Sequence, residues 1–182
     1  ATLQNNTGFA NQWALMNDGS YSYEDYDYAN MDNSRYGSSY PTIQIQAKED
    51  VDIDLPEAWS TISNSSLATG NRETVVAFVD TGVMYDHTDL AENMWINDAE
   101  LNGETGVDDD GNGYVDDYYG VDIIDKKGNG DDTNGHGTHV AGIIAATMDN
   151  GRGGAGIAPG VTIMSYRISD SEGNIDMYSE LQ

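Results

Sequence analysis

The sequence predicts an α/β fold, doubly wound around a mostly parallel sheet with helices on both faces. Three observations carry that expectation. Thr74-Val75-Val76-Ala77-Phe78-Val79 is a continuous apolar, β-branched run, the pattern of a parallel strand buried on both faces. Val161-Thr162-Ile163-Met164-Ser165-Tyr166 reads as a second short strand. Between them, Thr138 to Met148 has helical spacing, and Ala141, Gly142 and Ala145 permit close packing. With a further helix expected from Asn174, the order strand, helix, strand, helix points to a right-handed α/β layer.

The earlier elements are less regular. Phe9 and Trp13-Ala14-Leu15 read as a docking segment. Residues from about 18 to 48, rich in Tyr, Asp, Asn and Ser, read as a surface insertion, either ordered by its tyrosines or a mobile loop. Asp54-Leu55-Pro56-Glu57-Ala58-Trp59 has the marks of a helix start, with Asp as cap and Pro in the first turn. Residues 98–132 form a long acidic loop with twelve Asp or Glu, and 151–156 a glycine-rich turn. No internal repeat is visible.

Composition narrows the function classes. The 182 residues leave room for one domain with a core. The 32 acidic and 7 basic residues give a formal charge of −25. Such a surface repels phosphate backbones and anionic lipid heads, which argues against nucleic-acid and membrane partners. The acid must be solvated or neutralised by cations. There is no cysteine, which fits a chain that takes its staples from bound metal rather than from disulfides. No apolar run reaches membrane-span length. Ala1-Thr2-Leu3-Gln4 has neither the basic start nor the apolar stretch of a signal peptide, and an opening without Met suggests earlier processing.

One segment of the acidic loop has metal-ligand spacing. Asp108-Asp109-Asp110-Gly111-Asn112-Gly113-Tyr114-Val115-Asp116 follows the first nine positions of an EF-hand loop. Asp108, Asp110 and Asn112 offer alternate oxygens, Gly113 makes the turn and Tyr114 offers its carbonyl. The twelfth position is Tyr119 rather than Glu, so Asp116 or Asp117 must close the shell. The other reading is a solvated acidic loop. Carboxylates this close repel one another without a cation, and oxygen donors with no Cys or His nearby favour Ca²⁺ over zinc.

Two further residues carry chemistry. Asp80 lies at the C-terminal end of the first strand, where α/β folds place working residues; the other reading is an Asp that caps a turn. His136 is flanked by Gly135 and Gly137, which leave the imidazole reachable, although a histidine before a helix is also often a simple cap. His136 and His139 lack the glutamate and the four-residue spacing of a zinc-protease pair. His139, inside the apolar helix, reads as a structural core histidine.

Taken together, Phe78-Val79-Asp80-Thr81-Gly82-Val83 and Gly135-His136-Gly137-Thr138-His139-Val140-Ala141-Gly142 resemble the aspartate and histidine motifs of the subtilisin-like serine proteases. Asp86-His87-Thr88-Asp89-Leu90, Gly156-Ile157-Ala158-Pro159, Gln12-Trp13-Ala14-Leu15 and Pro56-Glu57-Ala58-Trp59 support the resemblance, which covers most of the chain outside the tyrosine-rich insertion. It implies that 1–182 is the N-terminal part of one catalytic domain, with Asp80 and His136 as two members of an Asp-His-Ser triad. The family's Gly-Thr-Ser-Met-Ala type motif and its oxyanion-hole asparagine are absent from this sequence. The resemblance therefore implies a secreted, calcium-dependent endopeptidase. It would act on peptide or protein substrates only with its serine-bearing C-terminal part, which the end at Gln182, inside the expected helix, suggests is a proteolytically separated, docked second chain. The alternative is a non-catalytic member that binds or activates a partner. The resemblance also assigns Gly173, Asn174 and Ile175 to the segment that pairs with an extended substrate, and Asp89 to a second calcium site with Asn6 and the Thr147 to Gly153 stretch.

Overall fold

The computed structural model describes residues 12, 19, 22–26, 42–50, 52–62 and 70–175. The chain divides into two compact units, one of residues 10–61 and one of residues 1–9 and 62–182.

In the first unit, β1 (Ser22–Tyr26) pairs antiparallel with β2 (Thr42–Gln46), in a register that sets Ser22 opposite Gln46 and Tyr26 opposite Thr42. The insertion expected at 18–48 thus contains a two-stranded ladder. Thr42-Ile43-Gln44-Ile45-Gln46 alternates polar and apolar residues, the period of a strand. Gln46 Nε2 donates to the Gly19 carbonyl at 2.6 Å and closes the far end of the ladder. Helix α1 (Leu55–Ile62) follows, as its Asp-Leu-Pro-Glu start predicts. The Asp54 carbonyl accepts the first helical bond from Ala58 at 2.9 Å, while its own amide is held by Asp52. The docking segment at Phe9 and Trp13–Leu15 lies outside the described residues, as does most of the helix expected from Asn174; its first two residues are not helical, because Ile175 forms a bridge with Ser169 instead.

The second unit is built on a four-stranded sheet of order β3-β6-β4-β5. Strands β3 (Val75–Asp80), β4 (Gly120–Asp122) and β6 (Thr162–Arg167) are parallel, and β5 (Lys127–Gly128) pairs antiparallel with β4. The mostly parallel α/β sheet matches the sequence expectation. The acidic stretch 98–132 is not one loop, however. It holds α2 (Asp98–Leu101), β4 and β5, elements too short to show a period.

Helix α3 (His136–Ala145) covers one sheet face. Ala141 and Ala145 are fully buried, and their small side chains bring the helix down onto Phe78 and Ile163, within a core completed by Val83, Leu90 and Met94. The helix starts two residues before the expected Thr138 because an upstream carboxylate caps it there. It ends three residues before Met148 because Ala146 turns extended, and the Ile143, Ile144 and Ala146 carbonyls accept amides from 156–158 instead. His139 is exposed, not a core residue. It lies about half a turn round the helix from the buried Gly137, Ala141 and Ala145.

The other sheet face carries no comparable helix among the described residues. Val75 is 42% and Val79 57% exposed, so β3 is buried on one face rather than two. At the C-terminal edge of the sheet, the buried Arg167 guanidinium meets the fully buried Asp122 carboxylate at 2.7 Å and donates from Nε to the Ser169 carbonyl. This pair locks β6 to β4 where β3 delivers Asp80.

Candidate active site

Parallel strands end together, and here β3 and β6 end with Asp80 opposite Arg167. The chain then turns at Thr81 and Gly82 and passes beneath the first turn of α3. Gly137 makes this approach possible. A Cβ there would lie 2.1 Å from the Gly82 carbonyl oxygen and 3.2 Å from Asp80 Oδ1, so no side chain fits.

The result is a direct contact between the two motifs. His136 Nδ1 lies 2.7 Å from Asp80 Oδ1. The same oxygen accepts the Thr81 amide at 2.6 Å, which fixes the carboxylate. A carboxylate so close requires a proton on Nδ1, so the neutral ring presents an unprotonated Nε2 outward. The side chain is 64% exposed, against 20% for Asp80, and that nitrogen is reachable. The hydrogen bond to Asp80 and then its charge hold the imidazole pKa above the ordinary 6.5; the slight burial of the ring opposes the shift, and the more distant Asp132 charge adds to it. Such a pair can accept a proton from a weak nucleophile and stabilise the imidazolium that forms.

The segment expected at Gly173–Ile175 reaches the loop that leads into His136. Asp170 organises it by accepting the amides of Glu172 and Asn174 and the Asn174 side chain. Ile175 bridges antiparallel to Ser169, with its side chain 56% exposed. Gly173, at φ +84°, faces Asn134 on the loop that leads into His136.

The acidic cluster forms a separate site. Oxygens of Glu100, Asp108 and Asp110 can lie within 4.8 Å of one another. Asn97 donates at 2.9 Å to both Asp110 and Asp117, and Asn112 Nδ2 joins the same two carboxylates. Burial raises the Asp117 carboxyl pKa; bonds from Asn112 and Asn97 oppose the shift, and the neighbouring Asp110 and Glu100 charges add to it. The structure thus brings together the expected Asp108, Asp110, Asn112 and Asp117. Tyr114, whose amide donates to Asn112 Oδ1, lines a cavity of about 340 Å³ together with Asn97, Asp110, Asn112 and Asp117. Asp116 is not brought in. At φ +54° its carboxylate turns to the Gly106 amide and the Tyr118 hydroxyl.

Glu100 is the residue that sequence spacing missed. It is 2% exposed and accepts the Asp109 and Asp110 amides on Oε1 and the Asp116 amide on Oε2, tying α2 to the loop. Asn97-Asp98-Ala99-Glu100 does carry a capping-box pattern, and Asn97 Oδ1 caps α2 through Ala99. The glutamate, though, is spent on the loop. Asp89, 7% exposed, accepts Asn150 Nδ2 at 2.5 Å, and its carbonyl accepts the Thr147 amide, so the 147–153 stretch does return to it. Asn6 lies outside the described residues.

Residues 71–182 match the model of the subtilase family. The chain belongs to that family. Subtilisin-like protease 1 of Plasmodium vivax is 46% identical over 93 residues, half of this chain and 15% of its own length. Thermitase of Thermoactinomyces vulgaris is 32% identical over 122 residues, 67% of this chain and 33% of that protein. Halolysin of Haloferax mediterranei is 34% identical over 137 residues, covering 75% and 20%. The chain therefore spans a third or less of the length of these relatives.

The dyad geometry has a direct consequence. Replacing Asp80 with Asn removes the charged partner behind the two largest causes that raise the imidazole pKa and leaves only the weaker Asp132 charge. An NMR titration of His136 is expected to show it falling toward 6.5 in the variant; an unmoved titration would contradict the contact.

Proposed function

We propose that this chain is the Asp- and His-bearing part of a serine endopeptidase. The observation that carries the reading is the 2.7 Å contact between Asp80 and His136 at the C-terminal end of a parallel sheet. In this reading His136 Nε2 takes the proton of a serine hydroxyl as its oxygen attacks a substrate carbonyl. It then passes that proton to the leaving amine, and water completes hydrolysis of the acyl-enzyme. Asp80 holds the tautomer and balances the imidazolium charge. The base works only when neutral, so its raised pKa makes activity fall as pH drops through a value above 6.5.

The serine and the oxyanion asparagine belong to the C-terminal part of the same protease, which packs against this one. The exposed Val75 and Val79 on the sheet face not covered by α3 support such a docking surface. An extended substrate peptide would add as a strand beside Gly173, Asn174 and Ile175.

The carboxylates of Glu100, Asp108, Asp110 and Asp117, with the Asn112 amide between two of them, offer oxygen donors and no Cys or His, which fits Ca²⁺. Bound calcium would neutralise converging carboxylates and brace the segment between β3 and α3. Asp89 with the 147–153 stretch is the second candidate position. Calcium dependence and the family likeness together support a location outside the cell.

Two measurements test the reading on the whole protein. His136→Ala and Asp80→Asn are each expected to lower kcat for peptide hydrolysis by about 10⁴-fold or more with folding retained; near-normal turnover in either would overturn it. Chelation by EDTA is expected to lower the melting temperature, as loss of a ligand held only by the folded state requires. Glu100→Gln should shrink that chelator-dependent difference, and an EDTA-insensitive wild-type melting curve would remove calcium from the account.

A further inference from the structure

Asp132 lies four residues before His136, outside the acidic cluster, and the dyad chemistry makes no use of it. Its carboxylate accepts five hydrogen bonds. Oδ1 takes the Thr81 hydroxyl and the Asn134 and Gly135 amides, each at 2.9 Å. Oδ2 takes the Thr138 amide at 2.9 Å and its hydroxyl at 2.6 Å. These donors come from two separate places: the turn that follows Asp80, and the amino end of α3, whose N-cap Gly135 has no side chain to offer.

The two threonines extend the bridge. Thr81 Oγ1 accepts the Gly137 amide at 2.9 Å, and Thr138 Oγ1 accepts the Met84 amide at 3.0 Å. Each hydroxyl has given its proton to Asp132 and can only accept from the opposite segment, so the carboxylate sets the direction of both bonds. The turn after Asp80 and the first turn of α3 are thereby sewn together at Gly137 and at Met84. No neutral side chain could do this, because both oxygens must accept at once. Burial alone would raise the Asp132 pKa, yet the bonds from Gly135, Thr138 and Asn134 hold it below 3.8, so the carboxylate stays charged.

We infer that Asp132 is a positioning residue for the Asp80–His136 dyad, one that sets the distance between carboxylate and imidazole through Thr81 and the α3 amino end. The inference rests on the catalytic reading of that dyad. Beyond the triad, the dyad thus requires a second carboxylate, one that touches neither substrate nor nucleophile. Among the described residues, the charged groups that act on His136 are Asp80, from β3, and Asp132, from the loop before α3. Loss of the Asp132 charge must therefore act on the ring even where the fold is intact.

The test uses the whole protein, with its serine-bearing part, and four variants. Asp132→Ala and Thr81→Val are expected to lower kcat about 10- to 100-fold with KM little changed. Thr81→Ser, which keeps the hydroxyl, should recover most of the Thr81→Val loss. Asp132→Asn should move the His136 NMR titration, and the acid limb of kcat against pH, to lower pH. Wild-type kcat in folded Asp132→Ala, or an unmoved His136 titration in Asp132→Asn, would overturn the inference. Near-ultraviolet circular dichroism reports folding; if Asp132→Ala does not fold, Asp132→Asn and the threonine pair decide. If the wild-type protein hydrolyses nothing, the protease reading falls, while the titration still decides the role of Asp132.

Discussion

A carboxylate at the end of a strand can meet an imidazole on the first turn of a helix only where the two backbones nearly touch. In this protein that constraint falls on one position. Gly137 sits against the Gly82 carbonyl with no room for a Cβ, and the approach brings His136 Nδ1 within 2.7 Å of Asp80. Much else in the second unit serves this approach. Buried alanines let α3 lie low on the sheet, the Arg167–Asp122 pair fixes the strand ends, and the hydroxyls of Thr81 and Thr138 tie turn to helix. The motif glycines and threonines around Asp80 and His136 are thus geometric requirements of the contact.

The acidic composition acquires a structure of its own. Glu100 is buried inside its loop and organises three backbone amides. Asn97 and Asn112 stand between Asp110 and Asp117 and soften their repulsion by donating to both. Neutral donors can lessen repulsion among neighbouring carboxylates but cannot cancel their charge. A hard cation with oxygen preference would do so, which is why the loop and the calcium reading belong together. The loop also lies in sequence between Asp80 and His136, so whatever stiffens it bears on the segment that joins them.

How much of this was legible in the sequence depended on whether a feature is local. The two long strands and α3 follow from β-branched runs and small-residue spacing, and they form within a few residues of the expected bounds. Strands β4 and β5, three and two residues long, exist through pairing with β6 and with each other, which no local pattern reveals. The β1–β2 ladder did leave a period-two trace in Thr42–Gln46, hidden beside the Tyr- and Asp-rich stretch. Asp116 satisfied the ligand spacing, yet a left-handed backbone sends its carboxylate to Gly106. Asp132 was one acid among twelve; its role appears only once Thr81, 51 residues away, is folded against it.

The protease reading requires His136 to act as base toward a serine, and this sequence contains no Gly-Thr-Ser motif to supply it. Covalent labelling of the whole protein with a serine-reactive phosphonate, read by intact mass and peptide mapping, tests that most directly. One adduct is expected, on a serine in a Gly-Thr-Ser-Met-Ala type motif of the C-terminal part, and it should be lost in His136→Ala. No adduct in the folded wild-type protein, or an adduct that forms equally well without His136, would contradict it.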